Sequence, residues 1–110
     1  MGVIQSSKNK GEFIMKISET RISRKYSRII FMSNDDIKVT YDIKLKQHDG
    51  EVNYTFYHYV SGIEDIDPTL SVDDEDLNEI LNDYFTDDER EAIFYYIGGV
   101  SLTMDTMEVD

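Results

Sequence analysis

The sequence contains no cysteine in 110 residues and has few basic residues. The lack of cysteine excludes disulfides, thiolate metal sites, iron–sulfur clusters and thiol nucleophiles, and it is compatible with a reducing cytoplasm. No apolar run approaches the roughly 20 residues that a membrane helix needs, and the polar N-terminus does not resemble a signal peptide. We therefore expect a cytoplasmic protein.

Basic residues number 11 against 23 acidic ones, which gives a net charge of −12. This balance disfavours nonspecific binding to nucleic acid or to an anionic membrane, so the expected partner is a basic protein. The charge is also segregated along the chain. Residues 1–62 carry 10 basic and 7 acidic side chains, whereas residues 63–110 carry 1 basic and 16 acidic side chains.

Residues 1–14 show neither a helical nor a strand period, which predicts a flexible leader before a single domain at residues 15–110. Lys10-Gly11-Glu12 can be encoded by a ribosome-binding sequence, and Met15 follows at a suitable distance. Translation from Met15 and an ordinary N-terminal tail that begins at Met1 are therefore both open interpretations.

A β-hairpin is the clearest structural prediction. Apolar residues alternate with polar ones between Ile37 and Leu45, and Asp49-Gly50 supplies a type I′ turn. Closing this turn pairs positions whose numbers sum to 99, which places the apolar sets opposite each other as Leu45 with Tyr54, Ile43 with Phe56, Tyr41 with His58 and Val39 with Val60. The other face of the hairpin carries Asp42, Thr40, Tyr57 and Tyr59, a polar and aromatic surface.

Two further strands are predicted upstream of this hairpin. Residues 28–32 are β-branched and aromatic and precede turn residues at 33–36, while residues 16–23 are expected to form an edge strand whose basic side chains discourage aggregation. Together these segments predict a three- or four-stranded antiparallel β-meander.

The acidic half predicts two amphipathic helices. In residues 72–85 the apolar positions are Leu77, Ile80, Leu81, Tyr84 and Phe85, spaced as a stripe that packs on the sheet. Thr86 and Glu89 form a capping box that begins a second helix, whose apolar residues are Ala92, Ile93, Tyr96 and Ile97. Gly98-Gly99 is expected to end this helix, and Val100, Leu102 and Met104 then alternate as a returning strand. The predicted fold class is α+β, with the meander packed against the two acidic helices.

No constellation predicts catalysis. His48 lies beside the hairpin turn, where exposure is expected, and His58 shares the core face with Tyr41, where a satisfied buried histidine is expected. No G-x-S-x-G motif is present, and Gly98-Gly99 follows a helix rather than opening one. An enzyme would require a cleft that joins His58 to a carboxylate, so the protein is expected not to be one.

A metal site is not predicted either, although carboxylates are abundant. Residues 65–76 place oxygen ligands at alternating positions, as a calcium-binding loop does. However, an EF-hand needs glycine at its sixth position and glutamate at its twelfth, and this segment has Leu70 and Asp76 there. No cofactor is expected.

The acidic surface is the remaining candidate site. Asp76, Glu79 and Asp83 fall on the outer side of the first helix at a rise of about 4.5 to 6 Å per step, which is comparable to phosphate spacing along a nucleic-acid strand. Between Glu64 and Glu91 there are 13 acidic residues and only Arg90 to relieve them, more charge than solubility requires. A solvated helix face is the alternative interpretation. The predicted partner-binding residues are Asp73, Asp74, Asp76, Glu79, Asp83, Asp87, Asp88 and Glu91.

In general form the chain resembles small acidic phage-encoded inhibitors, namely DNA mimics and anti-CRISPR proteins. The resemblance rests on a short cysteine-free chain, an antiparallel sheet and acidic helices between Glu64 and Glu91. It implies a non-enzymatic inhibitor that occupies the nucleic-acid channel of a basic enzyme, such as a Cas nuclease, and that acts in the host cell cytoplasm. Two other classes remain open: an immunity protein or antitoxin that neutralises a basic toxin, and a structural interaction module that uses the sheet face of Tyr57 and Tyr59.

Overall fold

The computed structural model describes residues 2–5, 14–33 and 35–107. Five strands form one antiparallel sheet in chain order, and two helices follow them. The α+β class and the meander predicted from the sequence are therefore confirmed. The elements are β1 (Gly2–Gln5), β2 (Ile14–Ile22), β3 (Tyr26–Met32), β4 (Lys38–His48), β5 (Glu51–Ser61), α1 (Asp74–Tyr84) and α2 (Asp87–Thr106).

Strand β1 lies within the segment predicted to be a flexible leader. Its four residues pair antiparallel with β2, with Gly2 opposite Ile17 and Gln5 opposite Ile14. Backbone hydrogen bonds to the free side of β2 need no apolar period in the added strand, so the sequence pattern contained no signal for it. Consequently the strand predicted at residues 16–23 is present as β2, but its predicted position at the edge of the sheet is wrong, because β1 and β3 flank it on both sides. The rest of the predicted leader before Ile14 lies outside the described residues.

The β4–β5 hairpin has the predicted register along its whole length, from Lys38 opposite Ser61 to His48 opposite Glu51. Asp49 and Gly50 have φ angles of 53° and 84°, which is the left-handed conformation that a type I′ turn requires. Most of the apolar face is buried as expected. Phe56 is an exception and is 38% exposed, although it lies opposite the buried Ile43.

Both helices begin with a capping side chain. The Asp73 carboxylate accepts a hydrogen bond from the Asp76 amide at 2.8 Å, so α1 begins two residues after the predicted start at Val72. For α2 the predicted capping box is confirmed, with Thr86 and Glu89 hydrogen-bonded to each other's backbone amides.

The predicted end of the second helix is wrong. Helix α2 continues through Gly98 and Gly99 to Thr106, and the returning strand at residues 100–104 is absent from the described structure. The physical reason is the spacing of Ile97, Val100 and Met104, which keeps these side chains on the buried helix face established by Ile93. Burial of that face outweighs the poor helix propensity of the two glycines.

The core lies between one face of the sheet and the two helices. Its central side chains come from β2 to β5 and from the inner helix faces. In α1 the buried residues are Leu77, Ile80 and Leu81, followed by Phe85, whereas Tyr84, predicted to face the core, is 42% exposed. Neither described helix combines the length and the apolar content that crossing a bilayer requires. The opposite sheet face is not covered by a helix of the described chain.

Candidate binding surface

Helix α1 presents its carboxylates on the side opposite the core. Leu77, Ile80 and Leu81 point inward, so Asp76, Glu79 and Asp83, offset from them around the helix, are exposed. Successive members of this series are three and four residues apart, which corresponds to about 4.5 and 6 Å of helix length. The outer side of α1 is therefore a rigid row of negative charge.

All of the predicted partner-binding residues are exposed, but they are not equally free. Asp73 is occupied as the α1 cap. Asp74 lies 3.8 Å from His58 Nδ1, measured from its Oδ1 atom. Asp87 forms an ion pair with Arg90. The exposed set is Asp73, Asp74, Asp76, Glu79, Asp83, Asp87, Asp88 and Glu91.

A shallow groove of about 230 Å³ borders the α1 row. Asp76 and Glu79 line it together with the apolar side chains of Ile66, Val72 and Ile80. A cationic side chain could lay its aliphatic stem along these apolar groups while its charged end meets the two carboxylates.

The α1–α2 junction extends the negative surface. Only Phe85 and Thr86 separate α1 from α2, so Asp83 is four residues from Asp87. Glu89 does not contribute to this surface, because its side chain is buried and accepts the capping-box hydrogen bond from the Thr86 amide. Arg90 donates to the Phe85 carbonyl oxygen at 3.1 Å and pairs with Asp87, so the one cation of this region is already engaged.

The sheet face that no described helix covers carries basic side chains, and Pro68 and Thr69 of the loop before α1 line a cavity on it with Arg28, Thr40 and Tyr59. Arg28 pairs with Asp42 through two hydrogen bonds of 2.7 Å, and Lys44 lies 5.2 Å from the centre of the Tyr57 ring. Burial acts to raise the pKa of Asp42, but hydrogen bonding and charge from Arg28 outweigh it and hold that pKa below the ordinary value of 3.8. The aromatic side chains predicted on this face, Tyr57 and Tyr59, are partly buried.

His58 occupies the buried position predicted for it. Its ring packs edge-on against the Tyr41 ring, with 4.8 Å between the two ring centres, and its Nδ1 atom lies 3.4 Å from the Val72 carbonyl oxygen. Asp74 is its nearest carboxylate, but the His58 side chain is only 7% exposed. The histidine thus joins the α1 entry loop to the sheet. Within the described ranges, no three histidine or carboxylate side chains converge as metal ligands.

No family model, curated protein or solved structure matches this chain. The surface must therefore be interpreted from its own residues.

Two features were missed from the sequence. The Arg28–Asp42 pair depends on the β3–β4 register, which the turn residues at 33–36 did not fix. The outward face of α2 beyond Glu91 was not predicted, because Gly98-Gly99 was interpreted as the end of the helix. The spacing of residues 94, 95, 98 and 102 on one helix face was the signal for it.

Proposed function

We propose that this protein is a non-enzymatic inhibitor that binds a basic nucleic-acid-binding protein, such as a Cas nuclease or another host defence nuclease. Its acidic helices would occupy the partner's nucleic-acid groove and exclude the nucleic acid by competition. The observation that supports this proposal best is the exposed row of Asp76, Glu79 and Asp83 on α1, continued at the start of α2, with Arg90 already paired.

The acidic row acts through several weak ion pairs. Each exposed ion pair formed with a partner contributes about 0.2–1 kcal/mol. Three such pairs therefore contribute about 0.6–3 kcal/mol, which corresponds to roughly a threefold to hundredfold change in affinity. A surface of this kind also accelerates encounter with a cationic groove, and its effect weakens as salt rises.

The test is a competition assay with labelled double-stranded DNA bound to a panel of purified Cas nucleases, restriction nucleases and toxin nucleases. Wild-type protein is expected to displace DNA from at least one member, and the triple variant Asp76→Asn, Glu79→Gln, Asp83→Asn is expected to be at least about threefold weaker. The matched control is Asp35→Asn, Asp49→Asn, Glu51→Gln, which changes the net charge equally at exposed positions in or next to turns.

Equal potency of the two triple variants would refute this site. An immunity protein or antitoxin would use the same surface, and selective displacement from the toxin nucleases would identify that alternative. A structural module acting through Tyr57 and Tyr59 would instead bind its partner with little dependence on salt.

A further inference from the structure

The outward face of α2 carries the most exposed aromatic and leucine side chains of that helix. Phe94, Tyr95 and Leu102 are 52%, 87% and 69% exposed. Their spacing puts them on the side opposite Ile93 and Ile97, with Gly98 between them. Large apolar side chains clustered on one exposed helix face are typical of a contact surface rather than of a solvated helix.

The glycine pair in the middle of this face is not required by the fold. A methyl group added at Gly98 or Gly99 would meet no described atom within 4 Å beyond the adjoining helix backbone. Alanine would favour the helix more than glycine does at both positions. The two glycines therefore leave a flat step between Tyr95 and Leu102 where another backbone can approach closely.

A groove continues from this step toward the sheet. It has a volume of about 430 Å³, and Tyr95 and Gly99 of α2 line it opposite Ile22 of β2. Glu19 also lies in the groove, where its carboxylate accepts a hydrogen bond from the Tyr96 hydroxyl. We define the α2 stripe as Phe94, Tyr95, Gly98, Gly99 and Leu102.

Charge decides what can cover the α2 stripe. Asp87, Asp88 and Glu91 lie at its N-terminal end, and Arg90 is the only basic residue in either helix. At its C-terminal end lies Asp105, which accepts a hydrogen bond from the Tyr54 hydroxyl at 3.0 Å, and Arg24 contacts the same tyrosine. A second copy packed on this stripe would bring these carboxylates together in either orientation, and such like-charge contacts are destabilising. An apolar segment flanked by cations would instead satisfy both the stripe and its acidic ends.

We infer that the α2 stripe is a docking site for a basic amphipathic helix of the partner protein. The apolar side of that helix contacts Phe94, Tyr95 and Leu102 over the glycine step, and its lysine or arginine residues meet the carboxylates at the two ends. This inference rests on the proposed function, because it specifies which element of a basic partner the acidic protein recognises. It adds an apolar anchor on α2 to the acidic row of α1.

The probe is a synthetic amphipathic peptide of leucine and lysine with one apolar stripe, compared with a scrambled peptide of the same composition. Binding to the isotopically labelled full chain is measured by calorimetry, and NMR amide shifts locate it. The amphipathic peptide is expected to bind at least tenfold tighter than the scramble and to shift amides between Phe94 and Thr103. Equal affinity of the two peptides, or shifts confined to other elements, would overturn the inference.

The decisive variant is Gly98→Gln with Gly99→Gln, because its two expected effects have opposite signs. Glutamine is the better helix former and has open space here, so the urea midpoint of the free protein should rise. Peptide affinity should fall at least tenfold, since the side chains fill the step. Asn82→Gln, an exposed change on α1, is the control and should leave affinity unchanged. Unaltered affinity in the double glycine variant would contradict the docking site.

The α1 triple variant separates the two proposals. If the two peptides bind with equal affinity and the variant Asp76→Asn, Glu79→Gln, Asp83→Asn weakens the binding of both, the acidic row of α1 is supported as the binding surface and the α2 docking site is refuted. If the amphipathic peptide binds the triple variant normally and still shifts the α2 stripe, the docking site is supported. Failure of the proposed function would appear independently, as equal potency of the two triple variants in DNA displacement.

Discussion

The Arg28–Asp42 pair joins two strands on the uncovered sheet face, and its members differ in exposure. The Asp42 side chain is 4% exposed and that of Arg28 is 42% exposed. Asp42→Asn removes the charge that Arg28 contacts, but water can partly solvate the freed guanidinium. We expect a loss of about 1–2 kcal/mol in the free energy of unfolding, measured by urea denaturation at pH 7. Asp49→Asn, at an exposed turn position that asparagine accepts, should change it little.

The same pair predicts how stability depends on pH. Because the folded-state pKa of Asp42 is below 3.8, its contribution is fully present above that value and is lost as the pH falls through the lowered pKa. The stability difference between wild type and Asp42→Asn should therefore shrink as the pH is lowered from 5 toward 2. A difference that stays constant over that range would show that the ion pair is not its source.

Gly62 follows β5 and is held in a conformation that side chains rarely adopt. Its φ is 98°, and a Cβ there would lie 2.7 Å from the Asp36 carbonyl oxygen. Gly50 also has a positive φ, but a Cβ there would have no described neighbour within 4 Å. We expect Gly50→Ala to cost about 1 kcal/mol from backbone conformation alone and Gly62→Ala about 2 kcal/mol or more, as measured by urea unfolding. Equal costs would mean that the close approach to Asp36 does not constrain the fold.

At the N-terminus of α2, two backbone amides are hydrogen-bonded by the side chains of the capping box. The Thr86 hydroxyl accepts from the Glu89 amide at 3.1 Å, and the Glu89 carboxylate accepts from the Thr86 amide at 2.8 Å. Thr86→Ala removes one of these bonds and should lower stability by about 1 kcal/mol, which thermal unfolding followed by circular dichroism would detect. Thr86→Ser retains the hydroxyl and should stay close to wild type. A melting temperature for Thr86→Ala equal to that of wild type would contradict the role of the cap.

Elements whose local chemistry and hydrophobic pattern agree were predictable from the sequence. In the β4–β5 hairpin, Asp49-Gly50 fixes the turn and the apolar alternation fixes the same register, so every pair could be derived. In α2 the two signals disagreed. Gly98-Gly99 indicated a stop, while Ile93, Ile97, Val100 and Met104 continued one helical face, and the tertiary contacts of that face prevailed.

The candidate site was predictable to a similar degree. The inward stripe of α1 fixes the outward position of Asp76, Glu79 and Asp83, so their exposure followed from spacing. The groove that includes Asp76 and Glu79 also requires Ile66 and Val72 from the preceding loop, and no periodicity locates a loop. The α2 stripe was not predicted, because the helix was expected to end at Gly98-Gly99.

At the scale of the whole molecule, the two layers differ in charge. The acidic residues between Glu64 and Glu91 number 13, and Arg90 is the only cation among them. The sheet layer holds most of the basic residues, including Arg28 and Lys44, on or near its uncovered face. Repulsion within the helical layer therefore opposes folding of the free protein, and it is relieved by salt or by a cationic partner.

This repulsion predicts that the free protein becomes more stable as salt increases. The screening length falls from tens of ångströms at low salt to about 3 Å at 1 M, so the melting temperature should rise by several degrees between 20 mM and 500 mM NaCl. The Asp76→Asn, Glu79→Gln, Asp83→Asn variant should melt higher than wild type at low salt and respond less to added salt. The control with changes at residues 35, 49 and 51 should follow wild type more closely, because those carboxylates lie outside the helical layer. A melting temperature that falls as salt rises, or a triple variant less stable than wild type, would mean that the helical carboxylates are already compensated within the fold. Stored repulsion could then contribute nothing to the binding of a basic partner.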